Sequence, residues 1–406
     1  MKILILSTVW LEPNSTAAGS RMLQIIHLFQ QQNWDVHYAS TAADSPFAMD
    51  LQGIGVETLH IKVNDKAFDS FIQEFDPDMV IFDRFMVEEQ FGWRVAKYLP
   101  NALRILDTED LHCLRYARQL AVQENRVFEE EDLKSDSAIR EVAAILRSDV
   151  SLIISSFEME LLRRVFKVEV DFLHYLPFMV DADKQRTIKP FAERQHFISI
   201  GNFHHAPNLD SVKYLKSDIW PLIRQQLPTA ELHVYGAYTT QQVLEMNDPK
   251  NGFIVKGRAK EAFEVIGNAR VLLAPLRFGA GLKGKLLDAM QCGTPSATTS
   301  IGVEAMHGEL PWNGCVTDDA NEFAGKAVEL YLDETQWHIA QQNGDTILKE
   351  IFNAKFYSEG FIERLTELKT NLIVHRRANF MGQLLQHHTL RSTEYMSKWI
   401  EAKNKI

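Results

Sequence analysis

The 406-residue sequence has little cysteine, no long apolar run and no surplus of positive charge. Its three cysteines, Cys113, Cys292 and Cys315, are odd in number and far apart, so they supply neither a disulfide framework nor a CxxC metal pattern. A reducing cytoplasm is the expected setting. No stretch reaches the roughly eighteen apolar residues that a membrane span needs, and the opening MKILILSTVWL reads as a buried strand rather than a secretory leader. The formal net charge of -11 sets a nucleic-acid partner aside unless one face concentrates basic residues. Two nucleotide signatures are also missing. There is no GKS or GKT, hence no Walker A loop, and the first strand-helix turn, NSTAAGSRM, has one glycine where a GxGxxG fingerprint has three.

What is present is an alternation of short apolar runs with longer helical ones. In the first half KILILST, WDVHYAS, ETLHIKV, DMVIFDR, RILDTED and SLIISSF are strand candidates, separated by helix-length segments such as SRMLQIIHLFQQQN and EEQFGWRVAKYL. The second half repeats the pattern with HFISIGN, ELHVYGA, GFIVKGR, RVLLAPL and PSATTS. Two parallel α/β sheets follow, each with a Rossmann-like build. Between them LPFMVDADKQRTIKPFAERQ interrupts both periodicities with two prolines. The expected division is a domain at 1–180, a hinge at 181–194, a second domain at 195–370 and a tail at 371–406.

The segment from about 110 to 147 is charged and helical in period, and its acidic run FEEEDL is expected on a solvated helix face. The tail carries six Lys or Arg against two Glu, with Phe380, Met381, Leu384, Leu385, Met396, Trp399 and Ile400 at helical intervals. Such a helix either lies on an anionic membrane surface or packs back across the N-terminal domain as a strap. The strap is the expectation, because an apolar stripe usually faces a core.

The most informative stretch is RFGAGLKGKLLDAMQCGTP, residues 277–295. It follows the apolar strand VLLAPL and begins a helix, so it sits where parallel α/β sheets bind ligands. Gly279 and Gly281 allow close backbone approach, Lys283 and Lys285 bring compact charge, and Arg277 can fork onto phosphate oxygens. A helix start adds unpaired N–H groups and the positive end of the dipole. A diphosphate suits this set. On the other side DTEDLHCLR collects Asp107, Glu109, Asp110, His112 and Arg115 in nine residues. His112 is the first choice for a base or sugar-orienting group and Asp110 the second. The competing reading is that Asp107 or Asp110 caps the following helix while His112 packs in its first turn. Adjacent His204 and His205 do not suit one metal ion, and no metal is expected.

RFGAGLKGKLLDAMQCGTPSATTSIGVEAM resembles the donor-binding segment of the family 4 glycosyltransferases, retaining enzymes of the group 1 type with the GT-B fold. HFISIGNFHHAPNLDSVKYLKSDIWPLI, ILDTEDLHCLRYAR and SDVSLIISSFEMELL resemble further segments in the same order, over about residues 1–370. The resemblance implies two Rossmann-like domains facing across a cleft, with C-terminal helices crossing back. It implies transfer of a sugar from a nucleotide diphosphate, of UDP or GDP type, to the hydroxyl of a glycan, lipid-linked or other acceptor. Synthesis of cell-surface polysaccharide, glycolipid or glycoconjugate at the inner face of a membrane is the implied setting. By the same resemblance Gly201, Asn202 and Lys285 face the phosphates, VKGRA at 255–259 lines the base pocket, and Gly19 brings backbone near the reaction centre. The family has two acids seven residues apart; here the first position is Ala280 and the second Asp288. Asp288 is then expected to hold ribose hydroxyls, and backbone N–H groups from Ala280 to Leu282 the sugar. A sugar-nucleotide epimerase of the same fold, or a binding protein that has lost turnover, are the alternatives.

Overall fold

Seven parallel strands form the first sheet: β1 (Lys2–Ser7), β2 (Asp35–Ser40), β3 (Glu57–His60), β4 (Met79–Asp83), β5 (Leu103–Asp107), β6 (Val150–Ile153) and β7 (Leu173–Tyr175), in the order 3-2-1-4-5-6-7. The computed structural model that shows this describes residues 1–404, with residues 388–391 as backbone alone. Alternate side chains explain the double-sided burial: Leu4, Leu6, Val80, Phe82 and Leu106 enter one core, and Ile3, Ile5, Met79, Ile81 and Ile105 the other. The second sheet is also parallel, with β8 (Gln195–Ile200), β9 (Leu232–Tyr235), β10 (Phe253–Gly257), β11 (Ala269–Ala274), β12 (Ser296–Thr298) and β13 (Gly314–Val316) in the order 10-9-8-11-12-13. Its two faces carry separate cores around Phe197, Val234 and Leu273 and around Ile198, Leu272 and Ala274.

Two edge strands, β7 and β13, are absent from the sequence reading. Each has three residues and, unlike the equally short but buried β12, is mostly half-buried, so no buried run marks it. The segment 110–147 is not one helix. It divides into His112–Gln123 and Asp136–Arg147 around a short 3-10 turn, Glu130–Leu133. Part of the acidic run makes that turn: Glu129 and Asp132 cap it reciprocally, and Arg126 donates to Asp132.

The chain returns to the N-terminal domain earlier than residue 371. Val180 N–H donates to the Phe352 carbonyl at 2.7 Å, and the helix Ser358–Thr370 then puts Phe361, Leu365 and Leu368 into the core that holds Ile3 and Ile5. The division at 195–370 places this helix in the second domain, because its apolar spacing does not say which sheet it meets; the core it enters is that of the first. Arg376 continues the return by gripping Asp149 with two hydrogen bonds of 2.7 Å.

The last helix, Phe380–Lys403, does cross the N-terminal domain, but on its polar side. Gly382 lies so close to the Leu146 carbonyl that a Cβ would come within 2.1 Å. Arg94, buried between helices, donates to Ser397 at 3.1 Å and to Glu401 at 2.5 Å. Phe380, Met381, Leu384, Met396 and Trp399 are exposed. The strap therefore inverts the usual rule that the apolar stripe faces the core. Lys405 and Ile406 of the tail lie outside the described residues.

If the Ser358–Thr370 helix belongs to the first core, Phe361→Ala should cost about 3–5 kcal/mol. Urea unfolding followed by a probe in the N-terminal domain should show the loss there.

Candidate functional site

The carboxyl edges of the two sheets face one another across a cleft of about 780 Å3. Glycine sets how closely they meet. A Cβ on Gly284 would lie 2.5 Å from the Ala17 methyl, so only glycine at the helix start lets the loop after β1 come so near. Gly281 has φ +61 and faces Asp110 in the same way, a Cβ there meeting the Asp110 Cβ at 2.8 Å. Between these two points Glu158, fully buried on the helix Ser156–Arg164, accepts from Leu111 N–H at 3.0 Å and from Gly281 N–H at 2.7 Å. One carboxyl thus ties the loop after β5 to the glycine loop. Burial pushes it up to about 8.

On the C-terminal side the helix Gly284–Gln291 starts at the cleft. Lys285 Nζ donates to Asn208 Oδ1 at 2.8 Å and lies 2.9 Å from where a Cβ on Gly201 would stand. Lys283 Nζ donates to the Gly281 carbonyl at 2.8 Å. Burial lowers both ammonium groups to about 8, since among the described residues neither has a carboxylate at hydrogen-bond distance to offset desolvation. Gly201 and Asn202 form the turn after β8, where the Asn202 carbonyl accepts from Asn208 and its side chain from His204 N–H. The Asp288 carboxyl, one helical turn after Gly284, makes no hydrogen bond among the described residues and is pushed up to about 7 by burial. Leu282, Gly279, Arg258 and Ala259 also line the cleft.

Two expected residues stand elsewhere. Arg277 does not line the cleft: Asp210 binds its guanidinium and Tyr214 lies under it at 5.0 Å. Gly19 is also outside the lining, because it is glycine for packing. A Cβ would meet the Glu12 carbonyl at 2.7 Å, and the cleft wall is made by Ser15 to Ala18 and Ser20. Of the backbone N–H groups from Ala280 to Leu282, that of Gly281 is already bound by Glu158.

Across the cleft, neither Asp107 nor Asp110 caps the helix His112–Gln123. Its first N–H groups go to buried glutamates from other helices, Leu111 to Glu158 and His112 and Cys113 to Glu141, both at 2.9 Å. This frees Asp110 for the cleft. Burial works to raise its carboxyl, but Arg115, His112 and His205 outweigh it and hold it below the usual range. His112 and His205 reach the site from opposite domains, and burial lowers both to about 4, so their imidazoles are neutral near pH 7. Asp107 is withdrawn into an ion pair with buried Arg21.

Glu109 is the residue that sequence alone left undistinguished. It has φ +60, is 8% exposed, lines the cleft and makes no side-chain hydrogen bond among the described residues. Burial, with Asp107 and Asp83 nearby, pushes it up to about 8. Its neighbour Arg84 is also held off the ordinary map, at φ 71 and ψ 156, by an N–H bond to the Asp107 carbonyl. Strain, burial and an unpartnered carboxyl at one point mark a position kept for binding rather than folding. Glu109→Gly should therefore raise the unfolding free energy by about 1 kcal/mol, because glycine takes positive φ without penalty. Chemical denaturation measures this, and a loss of stability would show that Glu109 holds the loop instead.

Residues 194–333 match the family described as glycosyl transferases group 1. No curated protein matches the chain. Among solved structures, the chain is similar to a Staphylococcus aureus TarM mutant in complex with fondaparinux, alpha-GlcNAc-glycerol and UDP, at 9% identity, 91% of this chain and 100% of that one, TM-score 0.68. It is similar to sucrose-phosphate synthase from Thermosynechococcus elongatus, at 15% identity, 91% and 99% coverage, TM-score 0.69. Anabaena HepE in complex with UDP-glucose matches at 14% identity, 91% and 100% coverage, TM-score 0.67. At such identities these structures establish the fold, and the matched segment contains Gly201, Asn202 and the whole glycine-lysine stretch. Residues 194–333 are thus a glycosyl transferases group 1 domain, and the chain that carries it has the GT-B fold.

Proposed function

We propose that the protein is a retaining glycosyltransferase that moves a sugar from a nucleotide diphosphate, of UDP or GDP type, to an acceptor hydroxyl. The observation that carries this is the pair of desolvated lysines at the start of the Gly284–Gln291 helix, beside the Gly201–Asn202 turn and across from Asp110, His112 and Glu109. The UDP and UDP-glucose in solved structures of the same fold support the donor class. The acceptor is a glycan, lipid-linked or other hydroxyl compound, reached in the cytoplasm at the inner face of a membrane, in the building of cell-surface polysaccharide, glycolipid or glycoconjugate.

The bond that breaks joins the anomeric carbon to a phosphate oxygen, and the bond that forms joins that carbon to the acceptor oxygen. The acceptor proton passes to the departing phosphate. Negative charge grows on the diphosphate as it leaves, so Lys283, Lys285 and the helix N-terminus bind the transition state more strongly than the ground state. Asp288 accepts hydroxyls of the ribose. Neutral His112, ionised Asp110 and Glu109 bind and orient the hydroxyls on the reacting side. Arg277 has no part, being committed to Asp210.

The test is binding of UDP and GDP to the wild type and to Lys285→Ala. Loss of a charge-assisted hydrogen bond of about 1.5–3 kcal/mol weakens binding by roughly 10- to 150-fold. The pH dependence has a fixed sign. A lysine titrating near 8 is charged below that value and neutral above it, so calorimetric affinity should fall between pH 7.5 and 9.5, with proton uptake on binding. Lys285→Arg should remove that lysine's share. Nucleotide binding that is absent, or indifferent to Lys285, would favour the binding protein without turnover.

A further inference from the structure

We infer that the outward face of the Phe380–Lys403 helix docks the protein on an anionic lipid bilayer. The helix turns Ser397 and Glu401 to the N-terminal domain and leaves six large apolar or aromatic residues exposed. Phe380 is 71% exposed and Trp399 59%, with Met381, Leu384, Tyr395 and Met396 between them on the same side. At 100° per residue these six fall within about half of the helix circumference.

An unpartnered apolar face has several conceivable occupants, and charge selects among them. Residues 371–404 hold five Lys or Arg and two Glu, although the chain as a whole is at -11. Both glutamates are used inward: Glu401 on Arg94, and Glu394 on Lys97 and Lys398. Lys403 and, on the preceding helix, Arg377 are exposed without an ion pair among the described residues, Lys398 shares Glu394 with Lys97, and Lys403 and Lys398 lie over the Trp399 and Tyr395 rings at 5.2 and 5.7 Å. Aromatic rings flanked by cations suit the headgroup level of an anionic membrane. A second copy would have to bring the same cations against themselves in a two-fold contact. Among the described residues no helix is long and apolar enough to cross a membrane, so the contact is with the surface.

The placement serves the cleft. The strap rests on the helices Phe85–Tyr98 and Asp136–Arg147. The first of these begins at cleft-lining Arg84, and its Phe85 ring meets His112 edge-on at 5.5 Å; the second supplies Glu141, which caps the His112 helix. A bilayer on the strap thus adjoins the acceptor half of the protein. The proposed function gives this contact its use, a membrane-borne acceptor, but the contact is measurable without turnover.

The experiment is co-sedimentation of the full chain with vesicles of phosphatidylcholine alone and with about one-third phosphatidylglycerol, at low and high salt. A triple variant, Phe380→Ser, Leu384→Ser and Trp399→Ser, removes apolar surface that touches no core. The wild type should bind the anionic vesicles, more weakly at high salt, and the variant about tenfold less or worse. Nucleotide-dependent thermal stabilisation of both proteins shows whether the donor site is intact, so failure of either reading is seen separately. Equal binding by the variant, no binding by the wild type, or a wild-type dimer that the variant turns into a monomer would overturn the membrane contact.

Discussion

The Glu158 carboxyl, shared between Leu111 N–H and Gly281 N–H, is the contact on which the arrangement of the cleft depends. It is buried in the N-terminal domain yet completes the glycine loop of the other. With Gly284 against Ala17, it fixes the separation between the lysines and the acidic loop opposite. A pocket for a transfer reaction needs two substrates held at one distance. Here that distance is set by backbone donors and by missing Cβ atoms, which do not change rotamer. Arg118 adds a third tie, donating to the Gly279 carbonyl at 2.9 Å and to both oxygens of Glu304.

The same closeness accounts for the electrostatics. Lys283 and Lys285 are lowered, and Asp288 and Glu109 raised, because the facing domains remove water from charged groups that the protein itself leaves short of opposite charge. In a structural ion pair such as Arg104–Asp149 the partner is present and the carboxyl is held low. The cleft groups lack that compensation and are disposed to gain it from a ligand: an anion for the lysines, hydroxyls for the carboxyls.

Much of the fold could be read from sequence because both sheets are parallel and buried on two faces, so runs such as KILILS and VLLA announce themselves. β7 and β13 are short edge strands that are mostly half-buried, and do not. The glycine-lysine segment was legible for the same reason, since a strand end, two glycines and a helix start are local features. What escaped were partnerships across long sequence separations. Asp210 lies 67 residues from Arg277, whose guanidinium it binds. Glu141 and Glu158 lie 29 and 47 residues from the N–H groups they cap, and DTEDLHCLR gives no sign that its own aspartates are relieved of that task. The tail's apolar period was visible, but period alone does not say which side meets the protein; Gly382 and Ser397, small residues on the polar side, were the available clue. Glu109 was one acid among several until its backbone angle and its unpartnered carboxyl set it apart.

The central claim is that Lys283 and Lys285 are held, desolvated, to meet a diphosphate. Mild acylation of lysines near pH 8, with each site quantified by mass spectrometry in the presence and absence of UDP and GDP, tests it most directly. The account expects nucleotide to protect Lys283 and Lys285 while exposed Lys355 and Lys134 react as before. Equal labelling of Lys285 with and without either nucleotide, at concentrations that saturate the protein by another measure, would contradict it.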